Sequence, residues 1–197
     1  MKKQTGYSII AMMIGLAIGI IVLVSAGAFF MSTLRSNVDE VKQQNFEQSI
    51  QIIKSTMVAG IRRAGYSNSA SSLPDVAGWA SGSHYYTNGT CVLITYVDMA
   101  LALPKQQFFG YKLDKTTGIL YSYQADDKVD CSETSTWQPI SDPTQIRFSE
   151  APSDPLFSSP LNPKLIQIHL IAESMELSTG GVPVSRDVLV KVFIRNS

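Results

Sequence analysis

Cys91 and Cys131 are the only cysteines in the chain, and with His84 and His169 they are its whole supply of thiol and imidazole chemistry. Neither cysteine has a neighbouring histidine or basic cluster to lower its pKa, which disfavours a reactive nucleophile. A disulfide and two separate buried thiols remain as readings. So small a set of ligands is also too few for a zinc ribbon or a His-rich metal centre. Asp126-Asp127-Lys128-Val129-Asp130 offers the oxygens that calcium takes. Lys128 interrupts the run, however, and the Asp-x-Asp-x-Asp-Gly order of a calcium loop is missing. The run reads as a solvated acidic loop. His84 stands beside Tyr85-Tyr86, either in a binding surface or in an ordinary aromatic loop, and His169 sits in an apolar alternation typical of a satisfied strand residue. Arg62-Arg63 closes a helical pattern, where cations suit the negative end of the helix dipole better than they suit a phosphate site. No Gly-x-Ser-x-Gly elbow, phosphate loop or paired-carboxylate spacing is present. The expectation is a protein without catalytic residues, metal or cofactor.

The elements that carry these residues follow from an uneven composition. The 197 residues hold 16 basic and 16 acidic side chains, 45% hydrophobic residues and only 16% charged ones. That length suits one globular domain with an appendage, or two small domains. The balanced charge lacks the electrostatic footprint of a nucleic-acid binder, so no nucleic-acid partner is expected.

Much of the apolar excess lies at the front. No charged side chain occurs between Lys3 and Arg35, and nearly every residue from Ile9 to Met31 is apolar or small. A helix of roughly 20 apolar residues spans a bilayer, and a transmembrane segment is expected at about 9–31. Lys2 and Lys3 precede it, which keeps the short end cytoplasmic and places everything beyond Met31 on the far side, the periplasm of a Gram-negative cell. A cleaved secretory signal is the rival reading, because Ala26-Gly27-Ala28 imitates a small-x-small cleavage site. Against it, the apolar run continues through Phe29, Phe30 and Met31.

Lys2-Lys3-Gln4-Thr5-Gly6 followed by Tyr7-Ser8-Ile9-Ile10 resembles the class III leader of type IV prepilins. The resemblance implies cleavage by prepilin peptidase between Gly6 and Tyr7, N-methylation of Tyr7, and retention of the membrane helix. Glycine suits the cut because a residue without Cβ lets extended backbone enter a protease cleft. The family's usual glutamate at the fifth mature position is replaced here by Ala11. An unpaired carboxylate in hydrocarbon is costly. In the resembling proteins it is thought to meet the amino terminus of the neighbouring subunit, and the exception is a subunit at the filament tip. Ala11 therefore permits a tip or initiating role, inefficient assembly, or an altered sequence. Ala11, Gly15 and Gly19 also form a small-xxx-small stripe on which another helix can pack closely.

Past Arg35 the composition turns polar but the helical period persists through Val38, Val41, Phe46, Ile50, Ile53, Met57, Ile61 and Ala64. One helix from about Ser8 to Ala64 would be about 85 Å long. Gly65, the serines of 67–72 and Pro74 give its stop. Arg62-Arg63-Ala64-Gly65-Tyr66 resembles the end of the long helix in PilW-type minor pilins, relatives of the J-type pseudopilins of type II secretion.

The rest reads as strands: 91–97, 108–113 and 119–123 around the polar loop Asp114-Lys115-Thr116-Thr117-Gly118, then 164–172 and 187–194 separated by a turn at Gly180-Gly181-Val182-Pro183. Both cysteines fall in this exported part, where oxidising surroundings favour a disulfide. Closing a loop of about 41 residues would stabilise the fold by roughly 4 kcal/mol.

The expected fold is α+β and type IV pilin-like. A leader occupies 1–6, a long helix 7–65, and an antiparallel sheet domain 66–197 lies on the exposed half of that helix. As implied by the resemblance, the chain is a minor pilin or pseudopilin that initiates or caps a type IV pilus serving adhesion, twitching motility or DNA uptake. Its partners would be other minor and major pilins, inner-membrane lipid, prepilin peptidase and the pilus assembly platform. A type II secretion pseudopilin and a membrane-anchored periplasmic binding module outside any filament are the alternatives.

Overall fold

The uncharged run is followed without proline by a polar stretch of helical period, and the two form one helix, α1 (Ile9–Ile61, 53 residues). The computed structural model describes residues 9–67, 76–80, 83–98, 105–133, 136–152, 154–159, 164–179 and 181–194. Residues 1–44 and 45–197 are two separate compact units. In the first, every described residue from Ile9 to Val41 is exposed. Val38 and Val41, expected on a buried stripe, are 53% and 54% exposed, because among the described residues the first unit has no second element to cover them.

In the second unit the stripe is buried as its period requires: Phe46, Ile50, Ile53, Met57 and Ile61 recur at three to four residues and are nearly or fully inaccessible. Beyond Ile61 the chain winds through tight turns, with Arg63 N–H donating to the Gly60 carbonyl and Tyr66 N–H to that of Arg63. Gly65 takes φ 71°, a left-handed conformation open to glycine at little cost. Its N–H donates to the Thr95 carbonyl at 2.9 Å, which fastens the helix end to a strand.

Two antiparallel sheets form, where a single sheet was expected. The first has the order β1 (Tyr85–Thr87), β2 (Cys91–Asp98), β3 (Lys105–Asp114), β4 (Ile119–Ala125), β5 (Gln138–Pro139). Its β3–β4 hairpin turns at the expected polar loop, where Asp114 accepts from Thr116 N–H and the Thr117 hydroxyl. In the second, β8 (Leu165–Thr179) pairs with β9 (Val182–Phe193) on one edge, and with β6 (Ile146–Glu150) and β7 (Phe157–Ser158) on the other. Pro143, Pro152 and Pro155 flank β6 and β7 and keep them short, since proline supplies no ladder donor. The sheets are joined by Phe148 N–H to the Gly118 carbonyl and Phe157 N–H to that of Gly89. The expected turn at 180–183 is partly taken up by strand, with β9 starting at Val182; Gly180 lies outside the described residues.

The main core lies between the buried face of residues 46–61 and the inner faces of both sheets, through Val92, Ile94, Tyr111, Leu120, Ile166 and Ile168 among others. A smaller core covers the other face of the first sheet, where Val76, Val129, Cys131 and Trp137 lie over Cys91, Leu93, Phe108 and Tyr123. Residues buried on both faces explain why Cys91–Tyr96 reads as a run without polar alternation.

Candidate functional site

Ala11, Gly15 and Gly19 lie on one stripe of α1, all exposed, and a Cβ added at Gly15 or Gly19 would meet nothing within 4 Å. The stripe is therefore open to the close approach of another helix backbone. Gly6 and Tyr7 lie outside the described residues. Among the described residues α1 is the helix long and apolar enough to cross a membrane, and its most apolar window is wholly unburied.

The cysteines come together as a disulfide, Cys91–Cys131, with Cα atoms 5.9 Å apart. The bond ties the segment carrying the acidic run to the outer face of β2. Within that run Val129 is buried, Tyr123 donates its hydroxyl to the Asp127 carbonyl at 2.6 Å, Lys128 donates to the Ala77 carbonyl at 2.6 Å, and Asp126 pairs with Lys105. The charged side chains of the run are exposed, as expected of a solvated acidic loop, while Val129 anchors it to the smaller core. No group of three or more metal-ligating side chains with suitable geometry occurs among the described residues.

The aromatic neighbours of His84 are likewise held by packing: Tyr86 stacks with Trp79 at 6.3 Å, and the Tyr85 hydroxyl donates to Ser159 at 3.0 Å. Arg62 and Arg63 are exposed at the helix end, as expected. A cavity of about 390 Å³ lies at the end of the β3–β4 hairpin, lined by Lys112, Asp114, Lys115, Thr116, Tyr121 and Trp137. Both of its ammonium groups are held by protein acceptors, Lys112 by the Glu133 carbonyl at 2.7 Å and Lys115 by Glu150 at 2.7 Å.

His169 has a richer setting than its sequence position indicated. Its Nδ1 lies 3.0 Å from Asp154 and its Nε2 2.9 Å from Asp187. The partners are 15 and 18 positions away, and their contact depends on the β8–β9 register and on the β6–β7 connection. No local sequence signal announces such a cluster.

An exposed apolar helix able to span a bilayer, continuing into a face buried beneath antiparallel sheets, defines an α+β protein of the pilin-like class. Residues 39–183 match the model of the family described as prepilin peptidase-dependent protein B, PpdB, and the chain belongs to that pilin-associated family. No curated protein and no solved structure matches the chain.

Proposed function

We propose that this chain is a minor pilin or pseudopilin, a structural subunit that helps initiate or cap a type IV pilus or a related secretion filament. One observation carries the reading: a single helix supplies about 30 exposed, largely apolar positions and then a buried amphipathic face. The first part can rest in lipid and later pack against other such helices, while the second holds a folded domain. The family description, which names dependence on prepilin peptidase, supports cleavage between Gly6 and Tyr7 with methylation of Tyr7. The leader 1–6 would then be lost, and 7–65 and 66–197 would form the mature helix and its periplasmic domain.

Lys2 and Lys3 support a cytoplasmic amino terminus in a single-pass inner-membrane protein. Cohesion in the filament would come from helix packing along Ala11, Gly15 and Gly19, with other minor and major pilins as partners and the assembly platform as the site of incorporation. The Arg62–Tyr66 segment at the helix end supports a PilW-type subunit within this class. Ala11 in place of glutamate favours a position with no subunit above it, at the tip.

The mass of the native amino terminus tests the proposal. A chain beginning at methylated Tyr7 is the expected result. A start at Phe29 would make it a secreted protein, and an intact Met1 would leave a membrane-anchored binding module. Deleting the chain should abolish or shorten one filament system, and which system is lost separates pilus from secretion pseudopilus.

A further inference from the structure

His169 occupies an unusual position for a neutral imidazole. Each ring nitrogen faces a carboxylate oxygen, Nδ1 that of Asp154 and Nε2 that of Asp187. A neutral ring carries one N–H and one bare lone pair, so it can donate to only one of them, and the other contact would set a lone pair against a carboxylate. Both contacts are favourable only for the imidazolium, which donates twice. The ring is 12% exposed, against 44% and 69% for the two aspartates, so the cation is sheltered between groups that remain in water.

We propose that His169 is a proton-operated pin that joins three segments of the second sheet, the β6–β7 connection through Asp154, strand β8 itself, and strand β9 through Asp187. With its proton the ring holds both carboxylates. Without it, one of the two contacts is lost and the connection and β9 are no longer tied through a common centre.

The surroundings fit this assignment. Ile168, Leu170 and Ala172 are buried, so Gln167, His169, Ile171 and Glu173 share the outward face of β8. The register sets Asp187 beside Ile171, Leu189 beside His169 and Lys191 beside Gln167, while β6 brings Arg147 opposite Glu173. The charged groups of this face are therefore Asp154, Asp187 and Glu173 against Lys191 and Arg147, and the two aspartates are the ones within bonding distance of the ring. Burial alone pulls the His169 pKa down, but the hydrogen bonds and charges of Asp154 and Asp187 together raise it above its ordinary 6.5. A raised folded-state value means that the stabilisation is fully present below the ordinary imidazole range and is lost as pH rises through the raised value.

The inference is tested on the full chain in detergent micelles, with His84→Gln leaving a single imidazole. Nitrogen NMR should show a titration midpoint above that of a free imidazole, with both ring nitrogens protonated below it. Asp154→Asn and Asp187→Asn should each lower the midpoint. Amide exchange in β8 and β9, corrected for its intrinsic pH dependence, should accelerate through the same midpoint by about tenfold for each unit by which it exceeds the free value. His169→Gln should remove that step. A midpoint at or below that of a free imidazole, a midpoint unmoved by both asparagine variants, or exchange that ignores the titration would each overturn the pin. The asparagine variants keep the shape of the aspartates, so the test stands even if His169→Gln fails to fold.

Discussion

The hydroxyl of Tyr111 donates to the backbone carbonyl of Thr56 at 2.7 Å, joining the first sheet to the helix. The approach is that close because position 60, one turn further along, is glycine. A Cβ there would stand 2.4 Å from Phe109 Cε1 and 2.7 Å from the Tyr111 hydroxyl oxygen. Phe109 and Tyr111 themselves meet edge to face at 5.0 Å, so neither ring is free to retreat independently. Burial pushes the Tyr111 phenol well up, with the Arg63 charge pulling weakly the other way, and the group stays a donor at any physiological pH.

Gly60→Ala should therefore destabilise the full chain in detergent by about 1–3 kcal/mol, the range of an overpacked core, although alanine is the better helix former. Tyr111→Phe removes one hydrogen bond and should cost about 1 kcal/mol. Denaturant midpoints check both. A stabilised Gly60→Ala would mean that the rings yield and that the close approach is incidental.

The Cys91–Cys131 bond holds the cover of the smaller core against β2. Replacing both cysteines by alanine should lower stability by about 4 kcal/mol in the chain-entropy model, and reductant should reproduce the loss in the unmutated chain. The variant should also expose Trp137, now buried, which tryptophan fluorescence would report as a red shift. Unchanged emission would show that the cover stays in place through packing alone.

Two turns are held by aspartates. Asp114 accepts from the Thr117 hydroxyl and then from Thr116 N–H, and Asp142 accepts from the hydroxyl and N–H of Thr144. These bonds favour the carboxylates and hold both groups below the ordinary aspartate value. Depressed folded-state values give stabilisation that is present above the unfolded value of 3.8 and lost as pH falls through the folded ones. Carboxyl NMR titration should find both midpoints lowered. Thr117→Ala and Thr144→Ala should each return their own aspartate towards normal, and an unmoved midpoint would contradict the assigned cause.

The proposed filament role makes Ala11 a test of assembly. If a missing carboxylate limits docking to a neighbouring subunit, Ala11→Glu should raise recovery of the chain in sheared filaments, measured by immunoblot. The substituted carboxylate would lie near the start of the apolar span, at a desolvation cost unless paired, so some loss from the membrane fraction is expected in parallel. Equal incorporation would show that position 11 is not limiting.

The local sequence determined the helix, because a long uncharged run and a repeat of three to four residues each need only neighbouring positions to act. It also located the β3–β4 hairpin, whose turn chemistry is written in Asp114 to Gly118, and most of β2, β8 and β9. The division into two sheets was not legible. It depends on which edges of β8 are taken by the short strands β6 and β7, and that choice is made by contacts with residues far along the chain. The burial limit on α1 was hidden for the same reason: Val38 and Phe46 carry the same period, and only the folded domain decides where coverage begins. The exported context of Cys91 and Cys131 favoured a bond over separate thiols, and the fold brings their Cα atoms to 5.9 Å. His169, plain in sequence, acquires its two carboxylates from register and loop placement. Periodicity and turn chemistry act through neighbours and can be read along a line, whereas pairings across the chain exist only once entropy has been overcome by a closed core.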